Sequence, residues 1–308
     1  MTIRVTESGL LTTVQDRGRW GTQGLGVPVA GPMDTVSHRL ANMLVGNSPD
    51  SATLEATLVG PEIEFLADAT FAVAGAQFEL RLDARSVPMM TVCRAGRGSR
   101  LRFGRSDVGA RAYLAVGGGI DVPRVFGSRS TDLASGLGGL GGRPLRSGDE
   151  LAVGPVTARP TARRPAVFPF DLPRGGATLR VMPGPDLARF TPGTIERLTQ
   201  ARFTLEPESN RMGYRLRGPS LELAETRPLL SRATPVGTVQ VPPSGQPILL
   251  MADRQTTGGF AQIATVVSAD LPVAGQLAPG DWIAFEVRER REAVAALIAL
   301  EQALMHFG

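Results

Sequence analysis

One small pattern returns three times along the chain: a glycine turn followed at once by an alternating strand, at Gly98 to Phe103, Gly148 to Val153 and Gly280 to Phe285. A residue that reverses the chain at little steric cost, followed by in-and-out alternation, marks short strands joined by tight turns. Other segments fit the same pattern. Phe71 to Ala74 stops at Gly75, Ala112 to Val116 runs into Gly117-Gly118-Gly119, and Pro247 to Met251 and Ile263 to Val267 read as buried strands. Glycine (37) and proline (24) together make up about a fifth of the 308 residues. That is rich in turns yet below the level of about 25–30% that marks low-complexity chains. The expectation is a mainly β protein built from two barrel domains, with a few short helices and a C-terminal helix.

Three helices are expected. Asp34 caps one running Thr35 to Val45 and stopped by Gly46. Thr191-Pro192 starts a second that runs through Leu198. The third covers Glu289 to His306, with Val294, Leu297, Ile298, Leu304 and Met305 on one stripe whose expected use is packing on its own barrel. Prolines 160, 165, 169 and 173 interrupt Val156 to Gly176, which reads as a linker between an N-terminal domain (1–155) and a C-terminal one (177–308).

The chain contains no lysine; all 33 of its basic side chains are arginine. This excludes a Walker-type nucleotide loop, a Lys Schiff base, and biotin or lipoate attached to this chain. Histidine is limited to His38 and His306, and Cys93 stands alone, so no Cys/His cluster with zinc-ligand spacing exists. His38 reads as structural and Cys93 as a small buried hydrophobe. The excess of four positive charges is thin. The run Arg94, Arg97, Arg100, Arg102, Arg105 and Arg111 lacks the aromatic interleaving of a nucleic-acid surface, so it reads as the solvent face of a strand. No apolar leader or bilayer-length run is present, and the expected location is the cytoplasm, with no nucleic-acid or membrane partner. Chemistry here must use carboxylates, amides, hydroxyls, arginine and backbone groups.

Two polar clusters stand out. One holds Gln15, Arg19, Asp34 and Asn42 around a glycine-rich loop, with capping and turn roles as the plain alternative. The other joins Asn210-Arg211, Gln240 and the strand end Asp253-Arg254-Gln255-Thr256-Thr257. Its plain alternative is an Asp253–Arg254 surface pair beside a Thr256-Thr257 turn.

Leu11 to Arg19, Gly31-Pro32-Met33-Asp34, Ala41-Asn42 with Val45-Gly46-Asn47, Gly127 to Thr131, Asn210 to Gly213 and Ala252 to Gly259 together resemble one family. It is the allophanate hydrolase subunit 2, or biotin-dependent carboxyltransferase, family, which includes the C subunit of 5-oxoprolinase and KipA-type proteins. This chain has Thr22 where the family commonly carries an aromatic.

The resemblance implies cyclophilin-like barrels and a planar amide or lactam substrate. Among the activities found in that family, the expected role is the C subunit of an ATP-dependent 5-oxoprolinase, working with a KipI-like partner and a LamB/YcsF-like partner. ATP would then be handled by the complex. Two alternatives are a carboxyltransferase half that receives carboxybiotin from another chain, and a KipA-like regulator of a sensor-kinase inhibitor. From the residues themselves, Asp253, the only strong base in the second cluster, is the candidate for proton transfer or metal-free polarisation, with a base supplied by a partner chain as the alternative, and Arg211 stabilises negative charge. Gln240 and Gln255 read the amide edge, and Asn210, Thr256 and Thr257 line the site.

Overall fold

A computed structural model describes residues 1–157, 160, 168–225 and 229–306. The expected linker therefore lies partly outside the described residues, at 158–159 and 161–167. The chain forms two compact units. The first comprises residues 1–20, 30–172 and 303–308, and the second residues 21–29 and 173–302.

The first unit is organised by two long antiparallel strands, Ala69–Leu82 and Arg100–Val116. Sequence alternation suggested shorter pieces ending at Gly75 and Phe103, but both strands continue through irregular pairings between Gly75 and Leu80. Each such bulge adds a residue to one strand and bends it, which breaks the period-two signal without ending the strand. The bend lets one strand pair serve two regions. Its far end meets Glu62–Phe65, and its near end meets Thr53–Thr57, Leu11–Gln15 beyond that, and Cys93–Ala95. The nine-stranded sheet curls without closing into a hydrogen-bonded ring. Its inner face holds a core that includes Ile3, Val14, Ile63 and Leu114, with Phe65 stacked on Phe71 at 5.2 Å and Phe78 edge-on to Phe103 at 5.6 Å.

The helix Thr35–Leu44 begins where the sequence indicated. Asp34 Oδ1 accepts the backbone N–H groups of Val36 and Ser37 at 3.0 and 2.9 Å, and Gly46 leaves the helix at φ +76°.

The second unit is a closed seven-stranded barrel. Around the ring its strands are Gly176–Pro183, Ala261–Val266, Thr238–Val241, Ile248–Leu250, Gly213–Arg217, Arg202–Leu205 and Trp282–Val287. Closure is made by the last strand, which pairs in parallel with the first. The helix expected from Thr191 instead spans Thr194–Gln200, because Gly193, at φ +81°, turns the chain just before it. The Arg290–Met305 helix forms as expected, but most of its apolar stripe does not pack. Leu304 is buried, whereas Val294, Leu297, Ile298 and Met305 are 37–71% exposed. No helix among the described residues is long and apolar enough to cross a membrane.

Two further expectations on single residues meet particular surroundings. Arg100 and Arg102 lie on the solvent face and reach Glu62, at 3.8 and 2.6 Å, but Arg111 in the same run is buried. Cys93 is half-buried, and burial raises its thiol pKa.

Candidate functional site

The polar corner of the second unit is built by the loop that follows Ile248–Leu250. Asp253 donates its backbone N–H to the Arg211 carbonyl at 2.8 Å, and its carboxylate meets the Arg211 guanidinium twice, Nε to Oδ2 and Nη2 to Oδ1, both at 2.9 Å. Both side chains are buried. A two-point carboxylate–guanidinium contact fixes orientation as well as distance. The carboxylate expected to be a free base is therefore already engaged, and its partner is Arg211, 42 residues away, rather than the adjacent Arg254. Nor is either Asp253 or Arg254 a surface residue.

Arg254 is the contrasting cation. Only 9% of it is exposed, its Nε donates to the Thr234 carbonyl at 2.7 Å, and it makes no ion pair among the described residues. Burial lowers its pKa. Thr234 also donates its hydroxyl to the Gln255 carbonyl and its N–H to the Thr256 carbonyl.

Gln240 completes the corner. It faces Gln262 directly across the Thr238–Val241 and Ala261–Val266 pairing. Its Oε1 accepts from Gln255 Nε2 at 3.4 Å, while its own buried Nε2 has no partner among the described residues. Gly258 lies against these amides: a Cβ there would stand 3.0 Å from Gln240 Nε2, 3.1 Å from Gln255 Nε2 and 3.2 Å from Thr234 Cγ2. A buried donor left unpaired costs about 1–3 kcal/mol, so its presence marks a place where a carbonyl oxygen would be welcome.

Asn210 is an exposed turn residue whose Oδ1 accepts the Met212 N–H at 2.8 Å. Thr257 is exposed and pairs with Ala233. The structure thus brings Arg211, Gln240, Asp253, Gln255 and Thr256 to one corner, with Asn210 and Thr257 at its margins. Arg254, expected within this strand end but given no role of its own, belongs to it as well, and Thr234 and Gln262 join it without having been expected there. The direct Gln240–Gln262 register becomes visible only once the strands are paired.

The first unit's cluster is a continuous buried network. Gln15 Nε2 donates to Thr13 Oγ1 at 3.0 Å and to the Thr131 carbonyl at 3.1 Å; its Oε1 has no partner among the described residues. Arg19 is buried and donates to the Ser130 carbonyl. Asp34 caps its helix, and its N–H donates to Tyr113 Oη at 2.8 Å, whose hydroxyl donates to Glu55 at 2.7 Å. Asn42 donates to the Ser51 carbonyl at 2.8 Å and accepts from Asn47 at 3.1 Å. Burial pushes the fully enclosed His38 down to about 4, so it is neutral between Thr53 Oγ1 and the Pro49 carbonyl. For Asp16 burial acts to raise the pKa, but hydrogen bonds from the Arg129 N–H, Ser128, Ser130 and the Gly18 N–H outweigh it and hold the carboxylate low. These bonds mainly tie loops to strands. Among the described residues, no group of three or more His, Cys, Asp and Glu is placed to hold a metal ion.

A curled sheet and a closed barrel in one chain have clear counterparts. The chain belongs to the carboxyltransferase domain family, subdomains A and B, whose model matches residues 25–287. It is 41% identical over 294 residues to the C subunit of 5-oxoprolinase from Escherichia coli, covering 96% of this chain and 94% of that one. The Haemophilus influenzae protein of the same name is 38% identical over 281 residues, 91% of this chain and 89% of that one. The Kluyveromyces lactis urea carboxylase structure superposes over the whole chain with a TM-score of 0.94 at 32% identity, this chain spanning 29% of that polypeptide.

Proposed function

We propose that this chain is the C subunit of a cytoplasmic, ATP-dependent 5-oxoprolinase. The assembly would open the lactam C–N bond of 5-oxoproline with water to give glutamate, coupled to ATP hydrolysis. The observation that carries the reading is the near full-length identity to proteins of that name, 41% over 96% of the chain. The corner chemistry supports it. A lactam offers one carbonyl acceptor and one N–H donor in a plane, and Gln240 and Gln255 carry both complements. In this reading Arg211 and Asp253 hold the loop that carries Arg254 and Gln255, and the reacting groups come in part from partner chains. With no lysine and no phosphate loop, ATP handling falls to those partners, one KipI-like and one LamB/YcsF-like.

Glutamate release from 5-oxoproline by the three purified chains together, dependent on ATP and on this chain, is the expected result. No release from a folded, assembled complex would overturn the proposal.

A second reading is favoured by the TM-score of 0.94 to a urea carboxylase. There the chain would help move CO2 from carboxybiotin to an amide, and biotin must arrive on another chain because no lysine here can carry it. Activity abolished by avidin would favour this reading, and avidin-insensitive glutamate release the first.

A further inference from the structure

Among the described residues three arginines approach the second unit's polar corner, Arg232 through its pairing with Gly258, and two of them are neutralised. Arg211 is held by Asp253, and Arg232 by Asp186. Arg254 is not: it is nine-tenths buried, makes one hydrogen bond to a neutral carbonyl, and meets no carboxylate among the described residues. Burying a guanidinium without a counter-charge is unfavourable, and a structure that keeps one there has a use for an anion. The same Thr234 whose carbonyl binds Arg254 also lies against the Gly258 position, where no Cβ crowds the buried, unpaired Gln240 Nε2. One corner therefore offers a planar cation and, beside it, an unpaired amide donor.

We propose that Arg254 binds a carboxylate on the substrate while Gln240 Nε2 donates to that substrate's amide carbonyl. The site then selects small amides or lactams that carry a single carboxylate, and discriminates against neutral amides such as urea. A guanidinium matches a carboxylate with two parallel hydrogen bonds. A nucleotide phosphate is the other anionic source. It is disfavoured because the neighbouring cations are already paired and the loop is not a phosphate cradle. The inference rests on the amide-hydrolase reading but fails separately from it.

Calorimetry on the chain assembled with its partners would compare 5-oxoproline with 2-pyrrolidinone, the same lactam without the carboxylate. Wild type is expected to prefer 5-oxoproline by about 10–100-fold, the scale of a charge-assisted pair. In R254Q the preference should vanish, and in R254K it should fall between the two. Crowding Gln240 with G258A should weaken both ligands alike. In turnover, R254Q should raise KM for 5-oxoproline far more than it lowers kcat.

Equal binding of the two lactams by wild type would overturn the inference, as would an R254Q or R254K variant that keeps the full preference. So would inorganic phosphate or ATP competing at Arg254 in place of 5-oxoproline. If wild type releases no glutamate yet shows the Arg254-dependent carboxylate preference, the hydrolase reading falls and this inference stands.

Discussion

The two units bury polar groups to opposite ends. In the first, His38, Asp34, Asn42, Glu55 and Tyr113 donate and accept among themselves and to loop backbone, and although Gln15 Oε1 is left over, the result is a braced scaffold with no uncompensated charge described in it. In the second, the chain neutralises Arg211 with Asp253 but leaves Arg254 with a single carbonyl and Gln240 with a bare Nε2. A satisfied network specifies structure, whereas an incomplete one stores affinity for whatever would complete it. The presence of buried polar residues does not identify a site; a left-over donor beside a cation with no counter-charge does.

The comparison breaks most sharply at the Arg211–Asp253 pair. Replacing Asp253 by Asn strands a buried guanidinium, and denaturant unfolding should show a loss of about 3–5 kcal/mol. The double change R211M/D253L should recover at least half of it. A D253N protein of wild-type stability that has lost turnover would instead restore Asp253 as a proton-transfer group.

His38 gives the next largest effect, through pH. Its folded-state pKa is depressed from 6.5 to about 4, so below pH 6.5 the unfolded chain takes up a proton that the native state refuses. Stability should therefore fall as pH drops from 6.5 to 4, by about 3 kcal/mol from this group, and level off below. The difference between wild type and H38N across that window isolates it from the carboxylates. Parallel pH profiles for the two proteins would mean that His38 titrates normally.

Removing the cap with D34A should cost about 1–2 kcal/mol and act on the Thr35–Leu44 helix, read by hydrogen exchange. Smallest of all should be R254Q, within about 1 kcal/mol of wild type, because it gives up one hydrogen bond but also the desolvation of an unpaired charge. A stability loss as large as that of D253N would place Arg254 with the scaffold and remove the contrast between the units.

Much of this was legible in the sequence where a signal is local. Asp34 ahead of an apolar-periodic run announced its helix, and glycine before alternation marked the strands Glu150–Ala152 and Trp282–Val287. Signals failed where geometry intervened. Bulges near Gly75 hid the continuity of Ala69–Leu82, and Gly193, at positive φ, displaced the start of a helix credited to Thr191. Neighbouring Asp253 and Arg254 suggested a pair, yet adjacent residues rarely point the same way, and the true partner came from a different strand end. The exposed stripe of the last helix shows the same limit, since periodicity says which residues share a face but not whether anything covers it.

Barrel closure has a consequence for the order in which this protein can acquire its structure. The strand Gly176–Pro183 hydrogen-bonds in parallel to Trp282–Val287, about a hundred residues further on, and Arg202–Leu205 waits for the same partner. During synthesis Gly176–Pro183 leaves the ribosome with no local mate, and Arg202–Leu205, which can pair at once with Gly213–Arg217, keeps its other edge open. At about 5–20 residues per second they stay open for several seconds before the closing segment emerges. Bringing such distant ends together also carries a loop-closure entropy that local hairpins escape. Folding of the second unit is thus tied to the emergence of its last strand, and a truncation before residue 282 would leave an open, self-associating sheet in place of a smaller barrel.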